Sequence, residues 1–520
     1  MLNKLLYIDR HKEVVFLTLF VILVLFSISP DSYLHDLFNR QDSAWFFTCG
    51  KAWMNGMTPY VDFTDSKGPL LMFIYGIAYL LSNTTYLGIF WISCLFYTIT
   101  YYYTYKTAKL FLHDNYLAAT SIILLSLSYF NSWIHYEFRA EDCCQPFIAI
   151  VLYRLCLTIY FEGPDKQSFH LTNFLLGFCF TAMLLIKYSL AAMLGPAYLY
   201  YLYYVIRNRK NIIFPLIASI CGCFTIAIPF SIYFVFKGNL QDFINEYFLN
   251  TLLTVQGTNS FDAYVYEWLS ILCELWAERL ILLAICVTGC LWMAKQVNKD
   301  RFFPLIMFSG FFALSLHHAF ANYYMCSCLV FPIWLCMAVS QKFHGVIHNQ
   351  QKTFFLVAFG VFSLLFISNH TTKRGFIVRN SFFYDNQERT DYYHVAYLMS
   401  QIHKPKVIYL ESQEYGYGTP ADALPGCKYW SSQLGATSTM QAEQLANITN
   451  ADFIITDDRT PNYDKNAEIL SHAGFKKYYS YELTEIIFDV WSKHELSSPP
   501  ADFHVSNTDV LFKRKVLQLK

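Results

Sequence analysis

The chain alternates long apolar blocks with short polar punctuation. Blocks such as 14–29, 212–236 and 353–368 approach or exceed the roughly 17 to 25 apolar residues that cross a bilayer as a helix. Taken through the chain, the pattern predicts eleven spans, near 13–29, 85–105, 116–134, 146–161, 171–187, 189–206, 212–236, 279–295, 302–318, 324–340 and 353–368. A further apolar run, 69–81, opens on Pro69 and is short for a crossing, which suits a helix lying in the interface. From about residue 370 the pattern changes. Pro405, Pro420, Pro425 and Pro461 break the tail into short elements. There 407–410 and 453–456 read as buried strands, and 442–448 and 466–473 as helices. The prediction is a polytopic α-helical membrane domain over 1–369, its first outer loop spanning 30–84, followed by a small soluble α/β domain over 370–520.

Composition agrees with this division. Of the 520 residues 55% are hydrophobic and 15% charged, against about a quarter charged in an ordinary soluble protein. The 38 basic and 38 acidic residues balance, so no overall field points to a nucleic-acid partner. Local charge sets the sidedness. Clusters such as Lys4, Arg10 and Lys12, or Arg207, Arg209 and Lys210, fall in alternate loops, which places those loops and the N-terminus in the cytoplasm. The first loop and everything after 369 then lie outside, provided that 69–81 does not cross. Of the 15 cysteines 14 precede residue 340, mostly within apolar blocks, and they read as small core residues rather than a disulfide framework. The adjacent Cys143 and Cys144 lack the spaced partners of a zinc site, and no metal ligands are assigned.

The first outer loop carries the chemistry. It opens on Gln41-Asp42-Ser43 and closes on Pro59-Tyr60-Val61-Asp62-Phe63-Thr64-Asp65-Ser66-Lys67-Gly68-Pro69. Three carboxylates and a lysine wedged between apolar helices are costly unless paired or hydrated, so the loop is a candidate site. An Asp42 that merely caps a helix beginning at Ser43 is the structural alternative. The second outer loop reads Phe138-Arg139-Ala140-Glu141-Asp142, and a neighbour pair between Arg139 and Glu141 is the alternative there. Lys187 stands at an outward turn, where it would otherwise only reach for headgroups. His318 and Tyr323 belong to another outward turn.

Asp42, Gly56, Pro59-Tyr60, Asp62, Asp65 and Lys67-Gly68-Pro69-Leu70 together resemble the GT-C membrane glycosyltransferases, in the branch of the protein mannosyltransferases and aminoarabinose transferases. Related transferases often carry Pro-Pro where this chain has Gly68-Pro69. The resemblance implies a polyprenyl-phosphate-linked sugar donor, a glycan, lipid or protein acceptor, and a multi-pass protein of a bacterial inner membrane with a periplasmic tail. It implies a catalytic base at Asp42, a lysine on the donor phosphate at Lys67 and a second acidic site at Glu141, with Asp142 as its alternative. A sugar hydroxyl ionises far above neutrality, so a carboxylate must take its proton as the new bond forms. A departing lipid phosphate gains charge that a fixed cation stabilises. Arg139, Lys187 and His318 are further candidates for the phosphate, and Tyr60, Asp62, Asp65, Asp142 and Tyr323 for the substrates. A divalent cation is the one cofactor that paired carboxylates leave open. Two other readings of the same loops are a glycolipid flippase and a polysaccharide polymerase or ligase.

Overall fold

A computed structural model describes residues 2–29, 31–32, 42–127, 137–163, 168–208, 212–250, 277–317, 322–346, 359–361, 386–432, 438–483 and 486–499. The chain divides into two compact units. One, the helical unit, comprises Met1–Ser29, Ser93–Tyr233 and Thr254–Arg379; the other, the mixed unit, comprises Pro30–Ile92, Phe234–Leu253 and Asn380–Lys520.

In the helical unit the apolar runs fold as helices. Among the described residues three are long and apolar enough to cross a membrane: Ala140–Glu162, Ser168–Ile186 and Ile213–Lys237, the last of which continues into the mixed unit. The first expected span, 13–29, falls almost wholly in Leu2–Ile28, and that at 85–105 begins two residues before Leu87–Leu112, which also runs across the unit boundary. Among the described residues two expected spans are interrupted. The run 189–206 forms Tyr188–Met193 and Gly195–Asn208, broken where Pro196 supplies no backbone donor. The run 324–340 starts as a 3-10 helix, Asn322–Cys328, and resumes as Ile333–Val346 after Pro332. Almost all of 353–368 lies outside the described residues.

The outer face of this unit is apolar. Leu199, Phe214 and Leu216 are 70%, 61% and 59% exposed, a surface that lipid solvates and water does not. Helix Ser168–Ile186 meets Ile213–Lys237 through glycines. A Cβ on Gly177 would fall 1.9 Å from the Ser219 carbonyl oxygen, and one on Gly222 would fall 2.0 Å from that of Phe174. Without a hydrophobic force between helices in lipid, such close backbone approach supplies much of the association.

In the mixed unit, helix Asp42–Met54 packs against Pro69–Leu81, whose entry is set by Pro69 at its first position. A Cβ on Gly50 would lie 2.4 Å from the Gly76 nitrogen, so the two backbones nearly touch. Phe46 meets Tyr75 edge-on at 5.5 Å, and Phe47 meets Tyr86 at 5.3 Å. The same unit holds a five-stranded sheet: β1 Lys406–Tyr409, β2 Leu424–Pro425, β3 Phe453–Asp457, β4 Lys476–Leu483 and β5 Ile486–Ser492, in the order β2-β1-β3-β5-β4. Strands β2, β1 and β3 are parallel, whereas β3, β5 and β4 run antiparallel. Strands β1 and β3 fall where 407–410 and 453–456 predict them. The expected helices appear as Ser438–Ala446 and Tyr463–His472, each beginning earlier than the apolar pattern suggests. The hairpin β4–β5 is an addition. Its first strand, Lys-Lys-Tyr-Tyr-Ser-Tyr-Glu-Leu, has no apolar run to announce it and is held by pairing with β5.

Replacing Gly177 by Val is expected to push the two membrane helices apart, at a cost of at least about 1–3 kcal/mol from overpacking. A lowered melting temperature of the detergent-solubilised protein checks this; an unchanged one would mean that the glycine contact is dispensable.

Candidate active site

The loop that closes the first outer segment is built around Tyr60. Its backbone is left-handed, with φ of 66°, a conformation that a bulky residue holds only when its surroundings enforce it. Here they do. The ring is fully buried between Phe234 and Phe243, at 5.9 and 5.4 Å, and its N–H donates to the Phe63 carbonyl at 2.7 Å. Its hydroxyl donates to the Lys67 carbonyl at 3.0 Å, and Asn239 donates to the Pro59 carbonyl at 2.9 Å. Asp62 is exposed and accepts the Thr58 N–H at 2.6 Å, closing the preceding turn.

Asp65 and Lys67 form the inner side of this loop. The Lys67 N–H donates to Asp65 Oδ1 at 3.1 Å, while the Lys67 ammonium donates to the Ser66 hydroxyl at 2.9 Å and stands 6.0 Å from the centre of the Phe46 ring. Asp65 is 2% exposed, and its Oδ2 has no hydrogen-bond partner among the described residues. Burial raises its carboxyl above the usual carboxylate range, against the lowering effects of the Lys67 charge and N–H, and the negative charge of Asp42 raises it further. The Trp45 indole approaches this carboxylate without reaching hydrogen-bond geometry. Asp42 itself is the first residue of helix Asp42–Met54, where the helix dipole favours a negative charge. The fold thus gathers Asp42, Asp65 and Lys67 into one electrostatic cluster, with Tyr60 as the anchor of its loop.

A second cluster lies within the helical unit. Arg139 pairs with Glu137 at 2.7 Å, not with Glu141. Glu141, 1% exposed, pairs instead with Lys187 at 2.5 Å, and that ammonium also sits 4.0 Å from the centre of the Tyr324 ring. Asp142 is wholly buried; it accepts the Arg139 backbone N–H at 2.9 Å, in the manner of a helix-capping acid, and the Tyr97 hydroxyl. The neighbouring acids therefore have different partners, because consecutive helical residues point about 100° apart. His318 lies outside the described residues, as does the side chain of Tyr323 on the 3-10 helix Asn322–Cys328. Glu137 and Tyr97 were not singled out from the sequence: one precedes the motif by a single position and the other belongs to an apolar run.

Among the described residues no three His, Cys, Asp or Glu side chains converge, and Glu141 and Asp142 are each engaged.

Over 93% of its length this chain superposes on 98% of the crystal structure of ArnT from Cupriavidus metallidurans bound to undecaprenyl phosphate, with a TM-score of 0.58 at 11% identity. The chain has the GT-C fold. Residues 66–234 match the family model of the dolichyl-phosphate-mannose-protein mannosyltransferases, a stretch that begins inside the Asp65–Lys67 turn. A looser likeness, with a TM-score of 0.45 at 10% identity over 98% of this chain and 78% of the other, is to the archaeal oligosaccharyltransferase AglB from Archaeoglobus fulgidus in complex with an inhibitory peptide and a dolichol-phosphate. No curated protein matches by sequence. Within the GT-C fold the stretch 66–234 includes Lys67 of the first cluster and Arg139, Glu141 and Lys187 of the second, while Asp42, Tyr60 and Asp65 precede it.

Two stability measurements follow from the geometry. Lys187→Ala leaves Glu141 buried without its cation and is expected to cost about 3–5 kcal/mol, with part regained when Glu141→Gln is added; thermal unfolding of the single and double variants reports this. Asp65→Asn is expected to stabilise the protein near neutral pH. A carboxyl whose pKa is raised by folding binds protons more readily in the folded chain, so its contribution falls as pH rises above the ordinary carboxylate value. The melting difference between variant and parent should therefore grow with pH and vanish below about pH 4.

Proposed function

We propose that this GT-C protein is an inverting glycosyltransferase that moves a sugar from a polyprenyl phosphate to a glycan, lipid or protein acceptor at the outer face of a bacterial inner membrane. The observation that carries the proposal is the union of Asp42, Asp65 and Lys67 in one cluster, of which Lys67 lies at the start of the stretch matching the mannosyltransferase family and the two acids precede it. The ArnT structure with which the fold agrees is bound to undecaprenyl phosphate, and a donor of that class suits a chain with an apolar, lipid-solvated surface.

Asp42 acts as the base. It takes the proton of the acceptor hydroxyl as that oxygen attacks the anomeric carbon, and the bond from that carbon to the phosphate oxygen breaks. A single displacement inverts the anomeric centre. Lys67 offsets the charge that grows on the departing phosphate, which a site shielded from water rewards. Asp65, whose Oδ2 has no hydrogen-bond partner among the described residues, is suited to accept a substrate hydroxyl. In the helical unit Glu141 is the second acid, and Arg139, Lys187 and His318 are the cations assigned to the donor from sequence. Because Arg139 and Lys187 already face Glu137 and Glu141, each presents a balanced pair rather than a bare charge. An apolar cavity of about 590 Å³ between helices Ser168–Ile186, Gly195–Asn208 and Ile213–Lys237, lined by residues such as Leu176, Phe180 and Leu202, accommodates an alkyl chain.

In this reading all eleven spans cross, the N-terminus is cytoplasmic and residues 370–520 are a periplasmic domain. Asp42→Asn is expected to lower transfer by about 10²–10⁴-fold, the usual worth of a general base, with expression and binding of undecaprenyl phosphate retained. Mass spectrometry of lipid-linked and surface glycans from cells carrying the parent or the variant checks it. Near-normal transfer by the variant would remove Asp42 from the mechanism, and unchanged sugars with altered glycolipid sidedness would identify a flippase.

A further inference from the structure

Helix Asp42–Met54 is fastened along its length to the C-terminal part of the mixed unit. One turn after Asp42, Trp45 stacks on Trp430 with ring centres 4.6 Å apart and planes 18° from parallel, both indoles 1% exposed. Beyond it Lys51, fully buried, donates to the Ala423 carbonyl at 3.0 Å. At the end of the helix the Lys404 ammonium donates to the side chain of Asn55 and lies 3.9 Å from Asp422. The loop of Asp65 is held too, for the Thr64 N–H donates to the Lys428 carbonyl at 3.2 Å.

A buried lysine in the last turn of a helix is an expensive way to fill space, since an apolar side chain of similar volume would cost nothing in desolvation. What a buried charge adds is register. Glu414, 1% exposed, holds the opposite charge; its Oε1 accepts the Tyr409 hydroxyl and the Gly416 N–H, both at 3.1 Å, and its field acts on Lys51. Sliding the helix by one turn would carry the Lys51 ammonium about 5.4 Å from that field and break the Trp45–Trp430 stack at the same time. The position of Asp42 is tied to both contacts by the rigid helix between them.

We propose that Trp430 and Glu414 are positioning residues for Asp42, setting the register of its helix through Trp45 and Lys51 without touching substrate. The inference rests on Asp42 being the base. It gives the C-terminal region a task within the reaction, distinct from binding an acceptor or covering the site.

Titration supports the same geometry. Burial raises the Glu414 carboxyl, partly offset by the charge of Lys51, and lowers Lys51, partly offset by the charges of Asp422 and then Glu414. The groups facing Glu414 are Lys51, Cys49 and Thr48 from the helix, Tyr409 from β1 and Tyr392 from helix Asn386–Ser400. Asp422 and Lys404 also face Lys51. When Glu414 takes up a proton, Lys51 loses one of the two carboxylates that face it, Asp422 being the other, and the electrostatic hold on the helix weakens.

The test uses the full-length protein in lipid nanodiscs, with polyprenyl-phosphate sugars extracted from host membranes as donor and product formation read by mass spectrometry. Trp430→Ala is expected to lower kcat by about 10–100-fold, the penalty of a displacement near 1 Å, with KM for the donor within about twofold and Trp430→Phe close to the parent. Glu414→Gln is expected to abolish the acidic limb that the parent's kcat shows as pH falls through about 7, the value to which burial carries this carboxyl. Wild-type kcat in Trp430→Ala, or an unchanged limb in Glu414→Gln, overturns the positioning role while Asp42→Asn remains inactive. Should Trp430→Ala fail to fold, the pH profile of Glu414→Gln decides alone. Activity in Asp42→Asn would instead bring down the base assignment on which the inference stands.

Discussion

Charged groups buried among apolar helices must be compensated from within the protein, because neither lipid nor a packed core solvates them. Glu141 is met by Lys187, Asp142 by Tyr97 and Lys51 by the Ala423 carbonyl, partners that lie 46, 45 and 372 positions away in the chain. Each compensation therefore requires the fold to be complete. It also makes the fold answerable to the chemistry, for removing either partner leaves a charge that the site cannot hold. Asp65 departs from this pattern. Its Oδ2 has no partner among the described residues and its carboxyl is pushed upward by burial, the kind of local cost that binding sites carry until substrate arrives.

The two units meet this constraint with different materials. The helical unit relies on close backbone approach at glycines and on ion pairs capped by aromatic faces, as Lys187 is by Tyr324. In the mixed unit the devices are aromatic stacking and a strained turn. Tyr60 tolerates a left-handed backbone because Phe234, Phe243 and three hydrogen bonds to its loop hold it there. Rigid packing around a polar loop is what a transferase needs, since a base displaced by a fraction of a bond length loses its reach to the acceptor hydroxyl.

The proposed chemistry draws on few groups. A base at a helix start, a lysine beside a buried carboxylate and a lipid-solvated exterior are enough to bring a lipid-linked donor and a hydroxyl acceptor together. The carboxylates here do not need to act alike. Asp42 opens a helix and Asp65 lies in the loop beside Lys67, while Asp142 is spent on capping and on Tyr97. Their sequence positions, each beside an apolar run, look alike; their surroundings set them apart.

The hydrophobic pattern by itself determined the helical architecture, the short helix Pro69–Leu81, strands β1 and β3, and the loops in which polar chemistry collects, because burial of apolar runs is a local and periodic requirement. The motif from Asp42 to Leu70 was equally legible, as a cluster of charge that an apolar setting does not tolerate without purpose. Partner choice was not. That Arg139 meets Glu137 while Glu141 meets Lys187, that Trp45 stacks on Trp430, and that residues 30–92 and 234–253 join the C-terminal region in one unit were decided only by tertiary structure. The hairpin β4–β5 belongs with them, since its polar strand is ordered by pairing rather than by its own pattern. Contacts across tens or hundreds of residues depend on which surfaces the folded elements bring face to face, and no local periodicity encodes that.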